Sequence, residues 1–351
     1  RGARLLISVD CGIRSFWAPE SAARAGVDVI ITDHHTVLQE EGCDRLPPGA
    51  VAILNPLRAD CEYPCKGLAG VGVAFKLAQA LLRAHGERVG EAEGHFAKWL
   101  LDLVCLGTVA DVSDITGENR TLVHLGLEIL KGRPDARGAR RAHRPGMEAL
   151  LTVAGTDREK LGVESIGFQL APRINAAARL ADPWTSVQLL RTQNPTEAAD
   201  LARRLDGLNR ERQRVTQQAM AEIAERYGDT LDDHNAIVVD GSWPSGIIGL
   251  IAGKLCEAHG RPAAVIETGG GEEMHGSARS CASFHIADAL GECCDLLSRF
   301  GGHAQAAGFA LPAANLDAFR ERLQGLADER LSLEDLAPVV VLDALLEPGQ
   351  I

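Results

Sequence analysis

The 351 residues are enough for two domains with cores of their own, and an apolar content of 46% with 24% charged residues is that of an ordinary globular chain, not a disordered or fibrous one. No apolar run approaches the ~20 residues that span a bilayer, so a helical membrane protein is excluded. A net charge of −12 argues against indiscriminate nucleic-acid binding, although local charge decides what any one surface meets.

Strand signals fall at 4–9, 27–32 and 50–54, and helical signals at 18–25, 70–85 and 95–109. Their alternation predicts βαβ units and a parallel sheet. Gly67-Leu-Ala-Gly-Val-Gly72 opens the second helix, where tight packing of a helix N-terminus explains the glycines better than a phosphate turn does. Residues 131–144 hold six Lys/Arg against one Asp, a solvated loop or a phosphate-contacting one. Asn194 as N-cap, Pro195 at N1 and Gly228 as stop bound a helix of about 33 residues, or roughly 50 Å. A smaller α/β unit follows: strand 236–239, helix 246–259, strands 263–267 and 275–280, helix 285–299, strand 305–311 and helix 315–329. Pro338–Asp343 reads as one more strand with nothing to pair with. The nine cysteines show no disulfide-like spacing, and Cys61/Cys65 lack a matching second pair, so reduced thiols in a cytoplasm are expected.

The chemistry concentrates where apolar segments end. Leu5–Val9 runs into Asp10-Cys-Gly12, Val29–Thr32 into Asp33-His34-His35, and Leu103–Ala110 into Asp111. Carboxylates and imidazoles in such places suit a divalent metal or a phosphate. The C-terminal edge of a parallel sheet is where they would converge. In the second unit Ser277 and Arg279 alternate along one strand and so share a face, a pair suited to a terminal phosphate. Arg173 can grip two phosphate oxygens or close a salt bridge. His303, after Gly301-Gly302, is either a donor in a site or a satisfied core histidine.

Asp10-Cys-Gly12, Asp33-His-His35 and Gly107-Thr-Val-Ala-Asp111 resemble three motifs of the DHH phosphoesterase superfamily. Gly276-Ser-Ala-Arg-Ser280 with Gly301-Gly-His303 resembles the DHH-associated domain. Pro172-Arg-Ile-Asn-Ala-Ala177, Leu208-Asn-Arg-Glu-Arg-Gln213 and Gly246-Ile-Ile-Gly-Leu-Ile-Ala252 narrow the resemblance to the RecJ family of single-strand exonucleases. It covers essentially the whole chain, although Ala171 and Ala178 stand where that family has Gly, and Pro244 where a His often follows the Trp.

The resemblance implies an α/β protein: a parallel-sheet DHH domain over 1–185, a long connecting helix over 186–230, a smaller α/β DHH-associated domain over 231–333, and the start of a further domain over 334–351. Two domains joined in this way would form a cleft that admits one strand and excludes a duplex. The implied activity is 5′→3′ hydrolysis of single-stranded DNA with two Mn²⁺ or Mg²⁺ ions, in DNA repair and recombination. Asp10, His34 and Asp111 would bind metal, with Asp10 bridging. His35 would face the phosphate, Asp33 would orient a histidine, and Arg173 and His303 would act at the substrate. Asn175, Ser277, Arg279, Gly301 and Gly302 would bind it. Trp184, Trp243 and Phe284 are the candidate base-stacking aromatics. The expected partners are single-stranded DNA, a single-strand-binding protein and a helicase; the protein is expected to be a cytoplasmic monomer with no membrane contact. Competing readings are a phosphodiesterase for short oligoribonucleotides or cyclic dinucleotides, and a silent member that only binds single strands. The family's first motif, an Asp-x-Asp-x-Asp-type cluster, occurs nowhere in the sequence. The chain is therefore expected to be truncated at both ends, with at most one well-held metal and negligible activity of its own.

Overall fold

The computed structural model describes residues 2–85, 95–133, 144–228, 230–269, 271–281, 283–337, 340, 342, 344 and 345. They divide into two compact units, Arg1–Asn175 with Trp184–Asp206, and Ala176–Pro183 with Gly207–Ile351. Among the described residues no helix is long and apolar enough to cross a membrane.

The first unit starts β1 (Leu5–Val9), α1 (Trp17–Arg24), β2 (Asp28–Thr32), β3 (Leu38–Glu40), β4 (Cys43–Arg45) and β5 (Ala52–Leu54). β1, β2 and β5 form a parallel sheet in the order β1-β2-β5, with Val9 opposite Thr32 and Thr32 opposite Leu54. The strand ends are therefore level. β3 and β4 are a short antiparallel hairpin the sequence pattern does not announce. β1 is an edge strand, and Leu5, Leu6, Ile7 and Val9 are all exposed.

Helices then take over: α2 (Gly70–His85), α3 (His95–Trp99), α4 (Leu101–Ala110), α5 (Gly117–Leu130), α6 (Pro145–Ala154), α7 (Val163–Ser165), a π-helical turn over Ile166–Leu170, α8 (Ala171–Leu180) and α9 (Trp184–Arg191). α4 is buried nearly all round, so its residues show an apolar run with no helical period. Leu68, Val73, Leu101, Val104 and Leu122 build a core between α2, α4 and α5. The buried Asp102 of α4 is held by Arg144 Nε at 2.9 Å. Arg144 closes the basic run, whose residues 134–143 lie outside the described ones. Arg173 and Asn175 lie on α8, which continues the π-helical turn without a break.

α10 (Pro195–Tyr227) has 33 residues. Asn194 Oδ1 accepts from the amides of Thr196 at 2.9 Å and Glu197 at 3.3 Å, the N-cap pairing its sequence calls for. The second unit adds β6 (Ile237–Gly241), α11 (Ser245–His259), β7 (Ala263–Glu267), β8 (Glu273–Arg279), α12 (Ile286–Glu292), β9 (Arg299–Gly302), β10 (Ala306–Pro312) and α13 (Leu316–Arg330). Its mixed sheet runs β6-β7-β8-β10-β9, with only β6 and β7 parallel. The helix expected over 285–299 is corrected: it stops at Glu292, and Arg299–Gly302 forms an edge strand on β10 because that hairpin pairs Phe300 with Phe309. Most of Pro338–Asp343 lies outside the described residues.

Gly126 marks how closely α5 meets α4. A Cβ there would lie 2.3 Å from the Leu101 carbonyl oxygen and 2.4 Å from Cys105 Cβ. Gly126→Ala should force the two helices apart and cost about 1–3 kcal/mol, read as a lower midpoint in urea unfolding. An unshifted midpoint would show that the pair yields freely.

Candidate metal centre and phosphate pocket

β1 and β2 end side by side, and backbone bonds carry the ladder one residue past them. Asp10 N donates to Thr32 O at 2.9 Å, and Asp33 N donates to Leu54 O at 3.0 Å. Asp10 takes φ +63°, a left-handed conformation uncommon outside glycine but tolerated best by Asp and Asn. Its carboxylate lies against the first residue of α2. A Cβ on Gly70 would fall 2.0 Å from Asp10 Oδ1, so this glycine leaves the space the carboxylate occupies.

Asp33 is 1% exposed. Its Oδ2 accepts from Ile13 N at 2.9 Å; its Oδ1 accepts from His34 N at 2.8 Å, His35 N at 3.1 Å and His35 Nδ1 at 2.7 Å. Burial pushes this carboxyl up, but the donated bonds outweigh it and hold it below the usual carboxylate range. The contact fixes the proton of His35 on Nδ1 and makes Nε2 the basic nitrogen. Asn55 Nδ2 donates to His35 O at 2.9 Å and pins the loop from the third strand.

His34 Nε2 is buried, 3.1 Å from Asp10 Oδ1 and 3.6 Å from Asp111 Oδ2, yet it makes no hydrogen bond of acceptable angle. The Asp10 carboxylate raises the His34 pKa, against burial and with help from Asp111. A buried imidazole nitrogen facing two carboxylates without a hydrogen bond is a group lacking its partner. Either a proton or a cation would supply one. Ligand atoms of Asp10, His34 and His35 all lie within 4.8 Å of one another, and Asp111 borders them through His34. This donor set of carboxylate oxygen and imidazole nitrogen fits a hard or borderline divalent ion.

The helix expected over 95–109 is present as α3 and α4, so Asp111 caps the C-terminus of α4 and its grouping with the strand ends of the sheet is corrected. Ser113 Oγ donates to its Oδ2 at 2.7 Å. Arg173 is drawn inward. Its Nε donates to Asp206 Oδ1 at 2.9 Å and its Nη1 to Gln169 O at 2.6 Å. Asn175, on the same helix, is exposed.

In the second unit, Ser277 and Arg279 share a face of β8, and Arg279 Nη1 donates to Ser277 Oγ at 3.1 Å. α11 leaves room for them at Gly249, whose Cβ would meet Ser277 Oγ at 3.0 Å and Arg279 Nη2 at 3.1 Å. A cavity of about 1040 Å³ opens here, lined by Arg212, Thr216, Gln217, Gly249, Lys254 and Arg279 among others. Arg179 stands close behind. Burial lowers the pKa of Arg179 and Arg212, and each is lowered further by a neighbouring guanidinium. Burial likewise lowers that of Arg279. Nε of both Arg179 and Arg212 is buried without a hydrogen-bond partner. Clustered, half-buried guanidiniums of this kind repel one another and favour an anion between them. The sequence does not single out Arg179 or Arg212, although Arg212 lies within the Leu208–Gln213 motif.

Gly301 pairs with Gly308, which pairs with Ser277, so Gly301 lies two strands, roughly 9–10 Å, from that hydroxyl. His303 is exposed in the β9–β10 turn and is no core histidine; its amide donates to Ala306 O at 2.8 Å. Two of the three candidate stacking aromatics are corrected. Trp243 and Phe284 are 5% and 3% exposed, each packed into a core, with Trp243 Nε1 donating to Glu222 Oε2 at 2.9 Å. Trp184 is half exposed. None of the nine cysteines forms a disulfide, and among the described residues the one metal-competent group is that around His34, not Cys61/Cys65.

Known proteins share this architecture. The DHH family, N-terminal domain, matches residues 3–108, and the DHHA1 domain matches residues 233–329. The single-stranded-DNA-specific exonuclease RecJ of Bacillus subtilis (strain 168) is 41% identical over 98% of this chain and 41% of its own length. RecJ of Thermus thermophilus, solved in complex with Mn²⁺, superposes with a TM-score of 0.78 at 32% identity, covering 99% of this chain and 48% of that one. An exonuclease RecJ structure bound to manganese gives a TM-score of 0.73 at 32% identity over 95% of this chain and 79% of the other. The chain spans about two fifths to three fifths of the length of the curated relatives it matches.

Gly70→Ala should weaken Mn²⁺ binding about 10- to 100-fold, the range seen when the surroundings of a ligand are disturbed, because its Cβ would occupy the position of the Asp10 carboxylate. Isothermal titration with Mn²⁺ reads this. Unaltered affinity would remove Asp10 from the metal site.

Proposed function

Because this chain belongs to the RecJ family of DHH phosphoesterases, we propose that it hydrolyses single-stranded DNA from the 5′ end with divalent metal, in DNA repair and recombination. The observation that carries the reading is the buried, unsatisfied His34 Nε2 between Asp10 and Asp111 at the end of a parallel sheet. Mn²⁺ or Mg²⁺ bound there supplies an activated water and neutralises phosphate charge. Asp10 and His34 hold the ion, with Asp111 beside them. His35, oriented by Asp33, presents its Nε2 towards the reacting phosphate as a donor once protonated, or as a ligand when neutral. A second ion, where one binds, would share the charge of the attacking and leaving oxygens, and Asp10 would help to hold it.

The terminal phosphate goes to the second unit in this reading. Ser277 and Arg279 grip it, and the charges of Arg179, Arg212 and Lys254 make their cavity attractive to an anion. Gly301, Gly302 and His303 line the strand beyond. Arg173, anchored by Asp206, and Asn175 steady the substrate backbone. Such an enzyme works in a reducing cytoplasm as a monomer and depends on a helicase and a single-strand-binding protein to present its substrate.

In the full-length protein, Asp111→Ala should cut Mn²⁺-dependent release of nucleotides from a 5′-labelled single strand by at least about two orders of magnitude, as expected when a metal-assisted step is lost. A wild-type rate in that variant would end the metal assignment. Arg279→Ala should cost ~1.5–3 kcal/mol on 5′-phosphorylated strands and little on 5′-hydroxyl strands. Equal losses on both would move Arg279 out of the terminal site and into the fold.

A further inference from the structure

The π-helical turn Ile166–Leu170 carries an aromatic side chain with no part in the metal centre or the phosphate pocket. Ile166 and Leu170 are fully buried, while Phe168 between them is 83% exposed. Two residues along a helix is roughly half a turn, so anchoring Ile166 and Leu170 in the core drives Phe168 outward. An aromatic ring left in water is a poor choice for stability alone, and π-bulges recur at functional sites.

Its surroundings specify what it is for. Gly167 lies against α4, where an added Cβ would touch Val109 Cγ1 at 3.9 Å. Two residues further, α4 ends at Asp111. The turn therefore rests on the helix end that borders the metal centre. Gln169 O accepts from Arg173 Nη1 at 2.6 Å, so the turn is tied directly to a guanidinium. Asn175, also exposed, follows on the same continuous helical stretch. An exposed ring and an exposed amide on one helical stretch beside a phosphodiester site match one ligand chemistry: an unpaired nucleobase on its sugar-phosphate chain.

We propose that Phe168 is a stacking platform for one base of the single strand, close to the bond that is cut. The proposal rests on the nuclease reading above. Stacking is indifferent to base identity because every base offers a π-face, so the platform would hold position without imposing sequence. A duplex cannot offer a base in this way without unstacking it, so Phe168 also adds to discrimination against paired ends.

The test uses the full-length protein, 5′-phosphorylated oligothymidylate, and the same strand with a single abasic residue moved stepwise from the 5′ end. Binding is measured with Ca²⁺ in place of Mn²⁺, and cleavage with Mn²⁺. Phe168→Ala should bind the intact strand roughly 5- to 150-fold more weakly, the range a lost base–aromatic stack gives. Its Mn²⁺ affinity and melting temperature should be unchanged. At one abasic position wild type should fall to the level of Phe168→Ala, and the variant should lose nothing more. Phe168→Trp should keep affinity, with its added indole emission quenched by oligothymidylate. If wild type binds and cuts the strand but Phe168→Ala matches it, or loses equally at every abasic position, the platform is wrong and the nuclease reading stands. The platform is equally wrong if oligothymidylate leaves the emission of the Phe168→Trp variant constant, the ring then being a contact for protein. If wild type neither binds nor cuts, the nuclease reading falls and the platform with it.

Discussion

Four hydrogen bonds converge on the buried Asp33 carboxylate, and they set the geometry of everything around the metal centre. Removing a carboxylate from water is costly unless its lone pairs are filled. Here backbone amides of Ile13, His34 and His35 fill them, so the charge is kept and the loop after β2 has one conformation. That conformation turns His34 and His35 edge to face, with ring centroids 4.7 Å apart. His34 is thereby left with a buried nitrogen and no hydrogen bond of its own. The loop thus satisfies the Asp33 carboxylate completely while the imidazole beside it is left facing the Asp10 and Asp111 carboxylates.

The second unit uses the opposite sign in the same way. The chain carries a net charge of −12, but Arg179, Arg212 and Arg279 sit together where burial and mutual repulsion disfavour their charged forms. Other arginines in this unit are neutralised. Arg320 Nη2 meets Asp240 Oδ1 at 2.6 Å, and Arg330 meets Glu292 at 2.6 Å. Crowding guanidiniums together, even with Glu257 on the cavity wall, gives an overall acidic protein a local place that favours an anion. Gly249 adds the steric half of the arrangement, since a side chain there would fill the space next to Arg279 Nη2.

Much of this is legible in the residues because strong local signals agree. The β-branched runs ending in Asp10 and Asp33 form level parallel strands, and the Asn194-Pro195 start and Gly228 stop bound α10. The failures have physical causes. Asp111 is grouped with the strand ends although the 95–109 segment before it reads as a helix, because its apolar run, buried on every side in α4, looks the same as a run that closes a buried strand. The 285–299 segment reads as one helix because an edge strand's pairing with β10 is a tertiary fact absent from its own composition. Trp243 and Phe284 read as free aromatics because sequence does not reveal that the cores close over them. Phe168 escapes notice for the converse reason: flanked by Ile166 and Leu170, it reads as one more core residue. Half a turn from both, it faces outward while they are buried.

That α4, and not a strand, supplies Asp111 changes how the centre is held together. Asp10 and the start of the histidine loop are fixed by the sheet's backbone ladder, whereas Asp111 goes where α4 goes, its amide donating to Gly107 O at 2.9 Å. Contacts of α4 with three neighbours, two of them tight, set that position. Gly107 lies where a Cβ would meet Val71 of α2 at 2.8 Å, Gly126 of α5 abuts Leu101 O, and Gly167 of the π-turn adjoins Val109. α2 in turn begins at Gly70, beside the Asp10 carboxylate. A displacement of α4 would thus carry Asp111, the turn bearing Phe168 and the helix supporting Asp10 together, because packed interiors transmit strain instead of absorbing it. The candidate metal ligands and the proposed base platform therefore share one support, α4, whose neighbours approach it closely at Gly126 and Gly107.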